Sequence, residues 1–139
     1  MSPTRPEVRQ PDLPCARREE ARIDEPAQQT IQTYASGFAT GDLAQILSCV
    51  GDDLVWEFDG QQAGEGKAAF EAQMTRDLAS GTAQVTIERF VEQGDVVVAL
   101  DRGRFVPHGE GEVMPFVSAG AYTFTGAKIS RIQTYQPMG

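Results

Sequence analysis

The stretch from Ile31 to Trp56, IQTYASGFATGDLAQILSCVGDDLVW, decides how this chain folds. Ile31, Tyr34, Ala35 and Phe38 fall at i, i+3, i+4 and i+7, which places them on one apolar stripe of a helix. Gly41 suits a helix end. Asp42, with Gln45 three residues later, makes an N-cap pair for a second helix bearing Leu43, Ile46, Leu47 and Val50. The spacing therefore predicts a helical hairpin. Leu54 to Asp59 then alternates as a short strand, with Trp56 and Phe58 on one face and Val55, Glu57 and Asp59 on the other.

Beyond this stretch a glycine-rich connection leads to a third helix over Lys67–Leu78, with Phe70, Met74 and Leu78 spaced by four. Strands are expected at Ala83–Glu92, Val96–Val106, Glu112–Phe124 and Lys128–Gln136. Their turns are Gly94-Asp95, Pro107-His108-Gly109 and Gly126. The order α-α-β-α-β-β-β-β cannot form alternating parallel units. The class is therefore α+β, a curved antiparallel sheet wrapped on three N-terminal helices as a cone with an internal pocket. Gly103, Pro115 and Gly120 lie in strand regions, where bulges or sharp bends are expected.

With 139 residues the chain fits one domain, placed at 24–139. Residues 1–23 read as a proline-rich charged tail, because repeated prolines deny backbone donors and mixed charges form no buried face. The net charge of −8 argues against nucleic acid, which needs a clustered cationic surface. The longest apolar run, Val96 to Leu100, is far below the roughly 18 residues of a membrane span. No secretory signal core is visible in the tail, so a cytoplasmic location is expected. Cys15 and Cys49 read as reduced thiols, and one histidine with two distant thiols does not make a metal site.

Tyr34, Gly41-Asp42, Asp52-Asp53, Trp56, Gly64 with Phe70, Gly94-Asp95 and Phe124-Thr-Gly-Ala-Lys128-Ile129 recur in an order and at intervals with a precedent. Over residues 24–136 the chain resembles the nuclear transport factor two-like superfamily, in its SnoaL-like and ketosteroid isomerase-like branches. The resemblance implies a cone fold and homodimerisation through the open sheet face, where Gln133 and Tyr135 stand. It does not choose among isomerases, cyclases, epoxide hydrolases, dehydratases and non-catalytic binding proteins. Ketosteroid isomerases combine a carboxylate base with a tyrosine and a protonated aspartic acid. By resemblance the tyrosine falls on Tyr34, the base on Phe58 and the acid on Gly120, and a one-residue slip brings Asp59 to the base position. In limonene epoxide hydrolase-like members the matching arginine is Arg102, while the flanking acids fall on Arg104 and Thr134, which disfavours epoxide hydration.

Two functional expectations remain open. One is a cofactor-independent isomerase, cyclase or dehydratase acting on an apolar carbonyl compound, without metal. In it Tyr34 polarises the oxygen, and Asp59 and His108 are the candidate proton acceptors. Arg102 or Arg104 holds an anionic group, and Trp56, Phe58, Phe116, Ile132 and Thr134 line the ligand. The other is a non-catalytic module that binds a small apolar or anionic organic ligand or dimerises. Each residue also has an ordinary structural role: Tyr34 as a core aromatic, the arginines as solvated strand residues, and His108 as an exposed hairpin tip.

Overall fold

The computed structural model describes residues 15–136, with side chains from Pro26 onward. The element order is α1 (Cys15–Thr40), α2 (Leu43–Leu47), β1 (Val50–Phe58), β2 (Gln61–Glu65), α3 (Lys67–Ser80), β3 (Gly81–Gln93), β4 (Val96–Pro107), β5 (Met114–Thr125) and β6 (Lys128–Tyr135). The tail expected over 1–23 lies outside the described residues up to position 14, and α1 begins at Cys15.

The α1–α2 hairpin forms as the cap residues dictate. Gly41 adopts φ +73°, and the Asp42 side chain accepts from the Gln45 amide at 3.1 Å. Gln45 in turn donates to the Thr33 carbonyl at 2.8 Å, tying the helices together. Gly37 lets them approach, since a Cβ there would stand 2.6 Å from Ile46 Cγ1. The second helix ends at Leu47, earlier than expected, and Val50 already opens β1.

One sheet of six strands results, in the order β2-β1-β6-β5-β4-β3. The strand β2 was not anticipated: Gln61–Glu65 is glycine-containing and exposed, so its sequence carries no apolar alternation. All neighbours are antiparallel except β1 and β6, which pair in parallel, Trp56 beside Ile132 and Phe58 beside Thr134. Parallel pairing needs a long connection, and the whole of β2 to β5 supplies it. Register shifts occur near Trp56/Glu57, at Ile87/Arg89 and at Thr123/Phe124. The β4–β5 ladder runs unbroken through Gly103, Pro115 and Gly120, so of the bulges or sharp bends expected there, no bulge is present in that ladder.

The helices cover one face of this sheet. Ile31, Ile46, Leu54, Phe70 and Ile129 are almost wholly buried between the layers, with Tyr34, Met74, Val97, Ala99, Tyr122 and Ile132 around them. Phe70 stands edge-on to Trp56 at 5.2 Å and stacks toward Tyr34 at 6.5 Å, so α3, β1 and α1 meet at one aromatic cluster. Cys49 is buried and free. No helix among the described residues is long and apolar enough to cross a membrane.

Candidate functional site

Strand alternation, fixed by the ladder partners, decides which polar groups look toward the helices. Along β4 the covered set is Val97, Ala99, Asp101, Gly103 and Phe105; along β5 it is Phe116, Ser118, Gly120, Tyr122 and Phe124. Asp101 stands directly opposite Ser118, and its Oδ1 accepts the serine hydroxyl. Burial raises the Asp101 carboxyl above its ordinary value, the Ser118 bond works the other way, and the charge of Glu88 adds to the rise. A half-buried carboxyl biased toward its neutral form is the usual preparation for proton transfer near neutral pH.

Two phenols lie on the same inner wall. Tyr34 on α1 and Tyr122 on β5 meet edge to face at 5.8 Å, each 8% exposed. Neither hydroxyl has a hydrogen-bond partner among the described residues. Burial, then the neighbouring Tyr122, Cys49 and Asp77, hold the Tyr34 phenol well above its ordinary value; burial and Asp101 do the same to Tyr122. Both therefore stay protonated, as hydrogen-bond donors, through neutral pH.

A cavity of about 380 Å³ opens at the end of the cone next to this row. Phe38, Leu78, Phe105, Met114, Pro115 and Phe116 give it apolar walls, and Asp77, Ser80 and Gln136 give it a polar rim. Glycine lets its aromatics lie flat on the sheet. A Cβ on Gly103 would stand 2.9 Å from the Phe116 ring and 2.2 Å from the Gln84 carbonyl, and one on Gly81 would stand 2.5 Å from the Phe105 ring. The Phe116 ring thus lies over Gly103 and lines the cavity, and Asp101 and Ser118 are not among the lining residues. A second cavity, about 350 Å³, lies at the other end of the sheet among Pro26, Thr30, Glu92, Asp95 and Phe124.

The expected site residues scatter across these places. Phe116 lines the cavity, Tyr34 lies behind Phe38 at 5.1 Å between ring centres, and Thr134 is half-buried on the inner face opposite Gly120. Ile132 is a core residue, 3% exposed, and Trp56 packs over Gly64, where a Cβ would meet the indole at 2.3 Å. Phe58 is on the inner face but 45% exposed at the strand end. Arg102 and Arg104 point away from the helices, not toward the cavity: Arg102 pairs with Glu88 at 2.6 Å, and Arg104 donates to Gln84 at 3.0 Å. Asp59, exposed at φ +52°, accepts the Gln136 amide at 2.9 Å and serves there as a backbone anchor.

His108 is exposed, yet not a free hairpin tip. Its amide donates to the Ser80 carbonyl at 3.0 Å, and its Nε2 lies 2.9 Å from the Leu78 carbonyl. A carbonyl only accepts, so Nε2 carries the proton, and the ring stitches the 108–113 loop to the end of α3 beside the cavity. Asp101 is not among the site residues expected from the sequence. The signal that singles it out is its pairing with Ser118 across the ladder, which requires the register.

The SnoaL-like domain model matches residues 31–132. Comparison with curated proteins by sequence finds no match. Among solved structures, the fold is similar to an LEH-like epoxide hydrolase of M. tuberculosis, with TM-score 0.73 and 18% identity over 81% of this chain and 84% of that one. It is similar to an NTF2-like protein from Anabaena variabilis, with TM-score 0.73 and 20% identity over 83% and 89%. It is also similar to TerC, co-crystallised with polyporic acid, with TM-score 0.66 and 21% identity over 81% and 92%. At these identities the likeness shows the fold alone.

Proposed function

The chain belongs to the SnoaL-like domain family, and we propose that it takes an apolar carbonyl compound into the open end of its cone and moves a proton on it without a cofactor. The observation that carries this reading is Asp101, a half-buried carboxyl on the inner wall with Ser118 as its donor and a raised pKa. In its ionised form the carboxylate takes a proton from the carbon next to the carbonyl. The C–H pair moves into the C–C bond, and the negative charge settles on the oxygen, where Tyr34 donates. Return of the proton to the same or a conjugated carbon completes the exchange or isomerisation, so atoms and charge balance without a co-reactant. The solved relatives' names, an epoxide hydrolase and a protein co-crystallised with polyporic acid, fit small organic ligands.

A non-catalytic binding role is the second reading, and a specific observation favours it: neither Asp101 nor Tyr34 is among the residues that line the 380 Å³ cavity. Both readings require an apolar ligand at the mouth. Titrating the protein with aryl ketones while following Trp56, its single tryptophan, and the ligand by fluorescence should give saturable binding that Phe105→Glu or Phe116→Glu abolishes. Failure of the whole ketone series to bind removes both.

The outer sheet face carries Leu100, Ala119 and Tyr135 side by side across β4, β5 and β6, with Val117 and Val91 nearby; Leu100 is 38% exposed and Tyr135 47%. A row of this kind on an uncovered sheet suits a self-complementary dimer contact. Light scattering on eluting protein should return a dimer mass at micromolar concentration, and Leu100→Glu should shift it to the monomer mass. A wild-type monomer under those conditions would sink the dimer.

A further inference from the structure

The side chains around the 380 Å³ cavity carry charge of one sign. Asp77 is the one charged residue that lines it, and no lysine, arginine or histidine stands among the lining residues. Arg102 and Arg104, expected from the sequence to hold an anionic group, are engaged elsewhere by Glu88 and Gln84. The cation next to Asp77 in the chain, Arg76, turns to Gln73 instead: its Nη2 donates to Gln73 Oε1 at 2.7 Å, and Gln73 Nε2 donates to Asp77 Oδ1 at 2.9 Å. Asp77 is thus held by a neutral amide and forms no ion pair among the described residues. Beside it on the rim, the Ser80 hydroxyl donates to the Asp77 backbone carbonyl at 2.8 Å, which leaves the serine oxygen free to accept. The rim therefore offers acceptors and negative charge. Behind it, Phe38, Phe105 and Phe116 supply aromatic walls, and an aromatic face attracts a cation.

We propose that Asp77 determines the specificity of this cavity and that its ligand is an organic cation, an ammonium group on an aromatic skeleton. The ammonium lies at the rim against Asp77 and Ser80, and the skeleton enters among the three phenylalanine rings. This rests on the carbonyl-pocket reading and adds to it the ligand's charge class; an amino ketone satisfies both. Asp77 is exposed, so the ammonium keeps part of its hydration while the apolar part leaves water. An anionic ligand would meet Asp77 with no cation to offset it. The chain's net charge of −8 also draws cations, and a local effect has to be separated from that general field.

Three fluorescent probes with the same ring test the proposal on the full chain: naphthylmethylammonium, methylnaphthalene and naphthoate. The wild type should bind the cation about 5- to 10-fold more tightly than the neutral probe, the range for an exposed ion pair with a cation–π contact, and the anion most weakly. Asp77→Asn should weaken cation binding by about 3- to 5-fold and leave methylnaphthalene binding and the melting temperature unchanged, and Asp77→Glu should keep the cation preference. Asp53→Asn removes the same charge at a distance: Asp53 is exposed near the start of β1, which pairs with the start of β6, whereas the cavity lies by Gln136 past the end of β6. It should leave the preference intact. A cation bound no better than methylnaphthalene, a preference that survives Asp77→Asn, or an equal loss in Asp53→Asn overturns the proposal while the pocket stands. If no probe binds the wild type, the pocket reading falls and this one with it.

Discussion

Asp101→Asn is expected to slow α-hydrogen exchange on a bound aryl ketone by about 10²- to 10⁴-fold, the usual span for losing a positioned general base. Ketone affinity should hardly change, since asparagine keeps the shape and still accepts from Ser118. Nuclear magnetic resonance in deuterium oxide reads the exchange directly. Equal exchange in variant and wild type would remove Asp101 from the chemistry and leave binding as the function. The same substitution should stabilise the fold, which gives an independent check. Burial raises the Asp101 pKa above its ordinary 3.8, so the folded state holds the proton more tightly than the unfolded chain. That contribution is fully present below the unfolded value and is lost as pH rises through the folded value. Asparagine stays neutral throughout. The stability advantage of Asp101→Asn over wild type should therefore be absent in strong acid, grow as pH rises above the ordinary carboxylate value, and level off once pH has passed the folded value, as urea titrations at stepped pH will show.

Phe70→Ala should cost about 3–5 kcal/mol, the range for removing a buried phenyl ring. Phe70 is 1% exposed and supports both Trp56 and Tyr34. The site cannot collapse easily, because its walls belong to three elements: α1, β1 and α3. Urea unfolding should show the loss as a lowered midpoint, and the freed Trp56 should move its emission to longer wavelength in the native state. A loss below about 1 kcal/mol would mean that the aromatic cluster is not a principal support of the layer contact. The consequence for the site follows from packing: Tyr34 has its ring fixed by Phe38, Phe70 and Tyr122. Removing one support should loosen the phenol as well as the fold.

The helices and most strands were legible in the sequence, because periodicity is a local property. Ile31 and Tyr34 are buried on the stripe their spacing predicts, Gly41 and Asp42 end and cap as their chemistry requires, and Phe70 and Met74 face the sheet. Strand β2 was not legible, since Gln61–Glu65 pairs by backbone alone and buries no side chain.

What the sequence determined by itself is the element order, the α+β class and the burial of Tyr34. What only tertiary structure decided is which face of β4 looks inward. Val96 to Leu100 is apolar at every position, so alternation there cannot separate Val97, Ala99 and Asp101 from Val98, Leu100 and Arg102; a shift by one residue exchanges the two sets. The ladder resolves it by pairing Asp101 with Ser118 and Gly120 with Ala99. Arg102 and Arg104 then lie outside, and Asp101 lies within. Gly120 belongs to the same class of fact: its meaning is the ring of Tyr122 lying where its side chain would be, and a contact between residues on a folded surface has no counterpart in spacing along the chain.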